Sequence, residues 1–128
     1  MAIRIVRLGT DRYLGEGLRV GTVRRPPRGV PKREYSSRNY YDVWLPALSP
    51  SAGTIKFAQK AETAREWARF VRAYRREMAE PANRTILELL AALSHQTDFS
   101  VGCYCADESR CHRSVLRALL LERGARVI

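Results

Sequence analysis

Residues 99–125 read FSVGCYCADESRCHRSVLRALLLERGA, and the fold hinges on this stretch. Phe99 to Cys105 alternates as a compact strand. Ser114 to Gly124 is a leucine-rich helix that Gly124 ends. A cysteine-rich basic loop joins them. Arg126 to Ile128 adds a short final strand, so the unit has the length of a βαβ crossover with right-handed connection.

Upstream, Ile3 to Leu8 alternates as a strand, Gly9 to Gly17 is a loop, and Leu18 to Val23 is a second strand. Arg24 to Asn39 carries three prolines and a glycine, which exclude helix and central strand. Segments of this length inside a domain are usually functional or mobile. Tyr40 to Leu45 leans to a third strand. Ser49-Pro50-Ser51 starts a short helix over Ala52 to Lys60. The clearest helix runs from Ala61 to Glu80, where Trp67, Phe70, Val71, Tyr74 and Met78 form one apolar stripe and the arginines a solvated face. Pro81 and Asn83 break it, and another helix runs from about Arg84 to His95. His95 sits where the helix dipole favours an imidazolium, which accounts for it without a catalytic role. The order of elements predicts a single small layered α/β domain over 1–128, with a mostly parallel central sheet flanked by helices.

Composition narrows the function classes. A chain of 128 residues can bury a core without metal or disulfide staples. No apolar run approaches the roughly 20 residues that span a bilayer, and the charged N-terminal stretch has no signal-peptide core. Three cysteines within nine positions are no secreted disulfide framework, so the cytoplasm is the expected compartment. The net charge is +10, and only Lys32, Lys56 and Lys60 are lysines. Arginine suits bidentate recognition of phosphate or carboxylate. Residues 1–40 carry ten basic groups against three acidic ones, which favours an anionic small molecule, phosphate or nucleic acid as partner.

The loop then supplies the chemistry. Strand alternation puts Cys103 and Cys105 on one face, near the end of the strand where ligands bind in open α/β sheets. Cys111, His112, Arg113 and Ser114 reach the first turn of the next helix, whose free N–H groups favour anions and stabilise a thiolate. Cys111, His112 and Cys103 are the candidate catalytic residues. Arg113, Arg110 and Ser114, with Arg28, Arg25 and Lys32 of the basic loop, are the candidate anion-binding residues. No metal ligand and no cofactor is assigned.

Specific chemistries separate by spacing. A cysteine phosphatase needs five residues between cysteine and arginine; Cys105 to Arg110 leaves four and Cys103 to Arg110 six, so that reading fails. Cys103, Cys105, Cys111 and His112 are the right donor types for zinc, but no Cys-x-x-Cys is present. A transient disulfide to Cys111 requires Cα atoms within about 7 Å. Cys103 and Cys105 also make sense as buried small hydrophobes.

Cys103-x7-Cys111-His112-Arg113-Ser114 at a strand-to-helix junction resembles the signature of domain of unknown function 488. Arg25-Pro-Pro-Arg28-Gly29-Val-Pro-Lys32, Trp44-Leu45 with Pro50-Ser51, and Phe70-x-x-x-Tyr74-x-x-Glu77 are similar to elements of its YeaO-like branch, in order along the chain. The resemblance implies a single α/β domain and no established activity. It carries over Cys103, Cys111, His112 and Arg113 from the signature, and Arg25, Arg28, Gly29 and Lys32 from the basic loop. The chain departs at Pro27, within Pro-Pro where the pattern has Trp-Pro, and at Cys105, which is commonly not cysteine.

Two functions stay open. One is an enzyme using Cys111 or Cys103 as nucleophile or redox thiol on an anionic substrate, with His112 as acid/base. The other is a binding module for nucleotide, phosphate or RNA, with Tyr35, Tyr40 and Tyr41 as stacking residues. The Arg25–Lys32 loop is expected beside the cysteine loop in space.

Overall fold

All five residues of Phe99–Cys103 are buried, and they form β4, an interior strand of the sheet. In the computed structural model, which describes residues 1–128, β1 (Ile3–Arg7) lies on one side of β4 and β2 (Leu18–Gly21) on the other. The two-residue β3 (Val43–Trp44) completes the order β1-β4-β2-β3, and every pairing is parallel. Val127 adds a single parallel bridge to Ile3 beyond β1. The expected final strand is thus one bridge long.

Helices α1 (Ala52–Lys60), α2 (Ala64–Met78), α3 (Pro81–Leu93) and α4 (His112–Glu122) accompany the sheet, giving a small α/β domain. Phe70, Tyr74 and Met78 of α2 pack with Leu116 and Leu120 of α4 and Ile3 and Val101 of the strands in the main core. Burying a side chain of this size stabilises by roughly 1.5–3 kcal/mol. Trp67 and Val71, on the same stripe, are only partly buried against it.

Several boundaries move, each for a local reason. α2 begins at Ala64 rather than Ala61 because Thr63 and Glu66 form a reciprocal capping box. α3 begins at Pro81 rather than Arg84, since a proline in the first turn lacks only an N–H that would have no partner there. Asn83 therefore sits inside α3, and its side chain donates to the Glu77 carbonyl at the end of α2. The third strand shrinks from Tyr40–Leu45 to Val43–Trp44 because Tyr41 turns inward. Its ring lies on Gly21, where a Cβ would come within 2.4 Å of it. Gly21 leaves the space that a side chain would fill.

The second strand also differs in its facing. Leu18 is exposed, while Arg19 is completely buried. Arg19 Nε and Nη2 donate to the Glu16 carboxylate at 2.8 and 2.9 Å, and Nη1 donates to the carbonyls of Thr10 and Asn39, both at 2.8 Å. Ser100 on β4 donates to Glu16 at 2.7 Å. Burial alone would raise the Glu16 pKa. The hydrogen bonds from Arg19, Ser100 and the Tyr13 N–H outweigh it and hold Glu16 at about 2. Buried charges persist when they are paired and hydrogen-bonded in this way.

Candidate functional site

The site forms where β2 and β4 end side by side. The Thr22 N–H donates to the Gly102 carbonyl at 2.9 Å, and the Leu8 N–H donates to the Cys103 carbonyl at 2.8 Å. These bonds fix Cys103 at the carboxyl edge of the sheet, the edge at which open α/β sheets bind ligands. The strand stops at Cys103 rather than Cys105, so Cys105 falls in the following turn and is exposed. Asp107 then caps a short 3-10 turn through the Ser109 N–H. The chain re-enters at Cys111, which is buried and is the N-cap of α4.

An N-cap side chain normally accepts a bond from the helix. Cys111 makes no such bond, so its sulfur is free for other partners. The Ser114 hydroxyl donates instead to the Cys111 carbonyl at 3.0 Å. Arg113 turns inward, at 3% exposure. Its Nη2 donates to the Cys105 carbonyl at 2.6 Å, while Nε is buried with no hydrogen-bond partner. No ion pair of the molecule includes Arg113. A guanidinium therefore sits behind the cysteine loop with no carboxylate in ion-pair contact.

The sulfurs converge. Cys103 Sγ lies 3.8 Å from Cys105 Sγ, and Cys111 Sγ lies 3.7 Å from His112 Nδ1. The donor atoms of Cys103, Cys111 and His112 all lie within 4.8 Å of one another. His112 Nε2 stands 2.8 Å from the Thr22 carbonyl, which can only accept, so Nε2 carries the hydrogen. Nδ1 is then the ring nitrogen that faces Cys111, placed to take the thiol proton and to donate back to the thiolate.

Hydrogen bonding divides the thiols. Donation from Cys103 and Cys105 and contact with His112 pull the Cys111 pKa far below the usual thiol range, against the opposing effect of burial. Cys103 moves far the other way, because its proton is held by Cys105 and Cys111 and because it is buried. Cys105 is also raised on balance: donation from Cys103 lowers it, but donation to Cys111 and burial prevail.

A cavity of about 360 Å³ opens over these sulfurs. Its wall includes Val23, Pro50, Ile55 and Ala58, and its polar lining includes Arg24, Arg25, Gln59 and Arg110 with Cys103, Cys105, Cys111 and His112. The Arg110 guanidinium stands 5.6 Å above the Trp67 ring. The structure brings Cys103, Cys111, His112, Arg110 and Arg25 into one cavity. Arg28 lines a neighbouring pocket with Arg25 and Tyr104, whereas Lys32 lines a separate one with Tyr35, Tyr41 and Trp44. The basic loop meets the cysteine loop at its start, where the Tyr104 hydroxyl donates to the Arg25 carbonyl at 2.9 Å.

Sequence reasoning missed Arg24, Thr22 and Tyr104. Arg24 stood one residue outside the motif that singled out Arg25. Thr22 acts through its backbone carbonyl, which leaves no trace in residue identity.

The family model DUF488-N3a, described as the active DUF488-N3 subclade, matches residues 3–124. The chain belongs to the DUF488 family. The match takes in β1, the basic loop, the cysteine loop and α4, so the site residues all lie inside the DUF488 domain. No curated protein and no solved structure matches the chain. No helix is long and apolar enough to cross a membrane.

Proposed function

We propose that this DUF488 protein is a thiol-dependent enzyme acting on an anionic substrate, with Cys111 as its nucleophile. The observation that carries the reading is the setting of Cys111 Sγ, which lies with Cys103 Sγ and His112 Nδ1 in an arginine-lined cavity. A cysteine reacts as its thiolate, and cationic or donor-rich surroundings keep that form populated near neutral pH. His112 takes the thiol proton at Nδ1 and returns it to the leaving group, while Thr22 keeps the ring in register through Nε2. Arg25 and Arg28 receive the negative charge of the substrate, and Arg110 lines the cysteine cavity beside the Trp67 ring. Arg113 acts from behind as a fixed positive charge beside the cysteine loop, and Ser114 steadies the Cys111 backbone. Three free thiols suit the reducing cytoplasm. The matched subclade's description as active fits a catalytic role.

Peptide mapping after brief treatment with iodoacetamide at about pH 7 tests this. Cys111 should be modified before Cys103, and millimolar pyrophosphate should slow that modification several-fold. Modification of Cys103 first, or of Cys111 at a rate indifferent to pyrophosphate, contradicts the reading.

A second reading rests on the donor set itself. Cys103, Cys111 and His112, with Cys105 Sγ next to Cys103 Sγ, offer soft ligands of the kinds that hold zinc. A ligating histidine commonly donates its other ring N–H to a carbonyl, as His112 does to Thr22. Titration with cobalt(II) separates the readings. Intense thiolate-to-metal absorption that disappears in Cys111→Ser would support the metal centre; its absence would leave the nucleophile.

A further inference from the structure

Arg25 is the common member of three concavities. It lines the cysteine cavity, a second pocket with Pro26, Pro27, Arg28, Tyr40 and Tyr104, and a third with Arg24, Trp44, Pro46 and Ser49. Tyr104 belongs to the first two and Arg24 to the first and third, so the three lie side by side around Arg25. No Asp or Glu lines any of them. Arg24, Arg25 and Arg28 are exposed and take part in no ion pair. Some arginines elsewhere are ion-paired, as Arg12 with Asp42, Arg75 with Glu122 and Arg117 with Glu108.

The backbone that presents these arginines is held by aromatic side chains. The Trp44 indole donates to the Val23 carbonyl at 2.7 Å, and the Tyr104 hydroxyl donates to the Arg25 carbonyl. Tyr104 and Tyr40 form an edge-on pair with ring centres 6.2 Å apart. Rings fixed at one end, beside free guanidinium groups, are the parts from which base-stacking and phosphate sites are built.

Size decides what kind of anion fits. The cysteine cavity alone is about 360 Å³, within the roughly 300–1,000 Å³ of small-molecule sites. A bare phosphate would leave most of it empty against the apolar wall of Val23, Pro50, Ile55 and Ala58. A flat ring fills that wall, and the Gln59 amide offers both a donor and an acceptor to a ring edge.

We infer that the substrate is a nucleoside phosphate, with its base in the cysteine cavity against the apolar wall and its phosphate in the second pocket on Arg25 and Arg28. This rests on reading the cysteine cavity as the active site.

Isothermal titration calorimetry on the full chain tests it, using the four common nucleoside 5′-monophosphates, their free nucleosides, inorganic phosphate and a single-stranded oligonucleotide. At least one monophosphate should bind about tenfold or more tightly than both its nucleoside and inorganic phosphate. Removing one charged hydrogen bond costs about 1.5–3 kcal/mol, so Arg28→Gln should weaken that monophosphate about tenfold or more. Arg28 is exposed, and an unchanged melting temperature would show that the variant is folded. Monophosphates that bind no better than phosphate overturn the inference. So does an oligonucleotide that binds tenfold more tightly than every monophosphate, which would assign these pockets to single-stranded nucleic acid. Iodoacetamide mapping separates this failure from failure of the underlying reading. Cys111 that reacts ahead of Cys103 and is protected by pyrophosphate, with no nucleotide preference, sinks the nucleotide alone. Cys111 that is neither preferred nor protected sinks the active site as well.

Discussion

Cys111 and Cys103 belong to the same residue type and stand in one cluster, yet their protons are held in opposite senses. The difference lies in direction of donation. Cys103 donates to Cys105 Sγ at 3.8 Å, while Cys111 is stabilised as the anion by its neighbouring thiols and by His112 Nδ1 at 3.7 Å. Replacing Cys103 with Ala removes one donor to the Cys111 thiolate. A hydrogen bond to a charged group contributes about 1.5–3 kcal/mol, so the Cys111 titration midpoint should rise by about one pH unit or more. The pH dependence of Cys111 alkylation in Cys103→Ala, set against the unmodified protein, reads that shift. An unmoved midpoint would mean that Cys103 does not donate to Cys111. At this scale the sequence was partly legible. Cys111, His112 and Arg113 could be placed at a helix start from the leucine pattern that follows them. The inward turn of Arg113 onto the Cys105 carbonyl could not, because a first-turn arginine ordinarily reaches solvent.

Elements with strong periodicity were read correctly from the chain. The stripe from Trp67 to Met78 gave α2, and the alternation at Ile3 and Phe99 gave β1 and β4. Their neighbours in the sheet were not legible, since a parallel pairing such as Val20 with Val101 joins residues far apart and leaves no local signal. That pairing is what brings the Thr22 carbonyl and Arg24–Arg25 to the cysteines. Gly21 carries this junction. Gly21→Ala should destabilise the fold by about 1–3 kcal/mol, because the new methyl group meets the Tyr41 ring in a filled space. Urea unfolding followed by circular dichroism measures it; a change below about 0.5 kcal/mol would mean that Tyr41 yields freely. The caps make a second test. Thr63→Ala should cost about 1 kcal/mol through loss of the capping box at α2, read by the same unfolding curve.

Across the whole molecule, net charge and buried charge act differently. The +10 surface sets what the protein attracts, whereas the one ion pair buried on both sides, Glu16 with Arg19, ties the Gly9–Gly17 loop to β2 and β4. Glu16 has a folded pKa of about 2 against an ordinary 4.5. A carboxylate held below its unfolded value adds stability that is fully present above about pH 4.5 and is lost as the pH falls towards 2. Melting temperature measured from pH 6 down to 2 should fall through that window. Glu16→Gln should melt lower at neutral pH and lose less on acidification. A variant with the same acid slope as the parent would contradict this account. The composition announced the surface charge, but nothing announced that Arg19 would be wholly buried, because a charged residue in an alternating strand reads as solvent-facing.

Everything proposed for the site depends on Cys111 being a thiolate under ordinary conditions. The most direct measurement is the rate of Cys111 alkylation by iodoacetamide, followed by mass spectrometry from about pH 5 to 10. A rate already at its plateau by about pH 6 is the predicted result. A rate that climbs to half its maximum only near pH 8.5, as for an unperturbed cysteine, would contradict it.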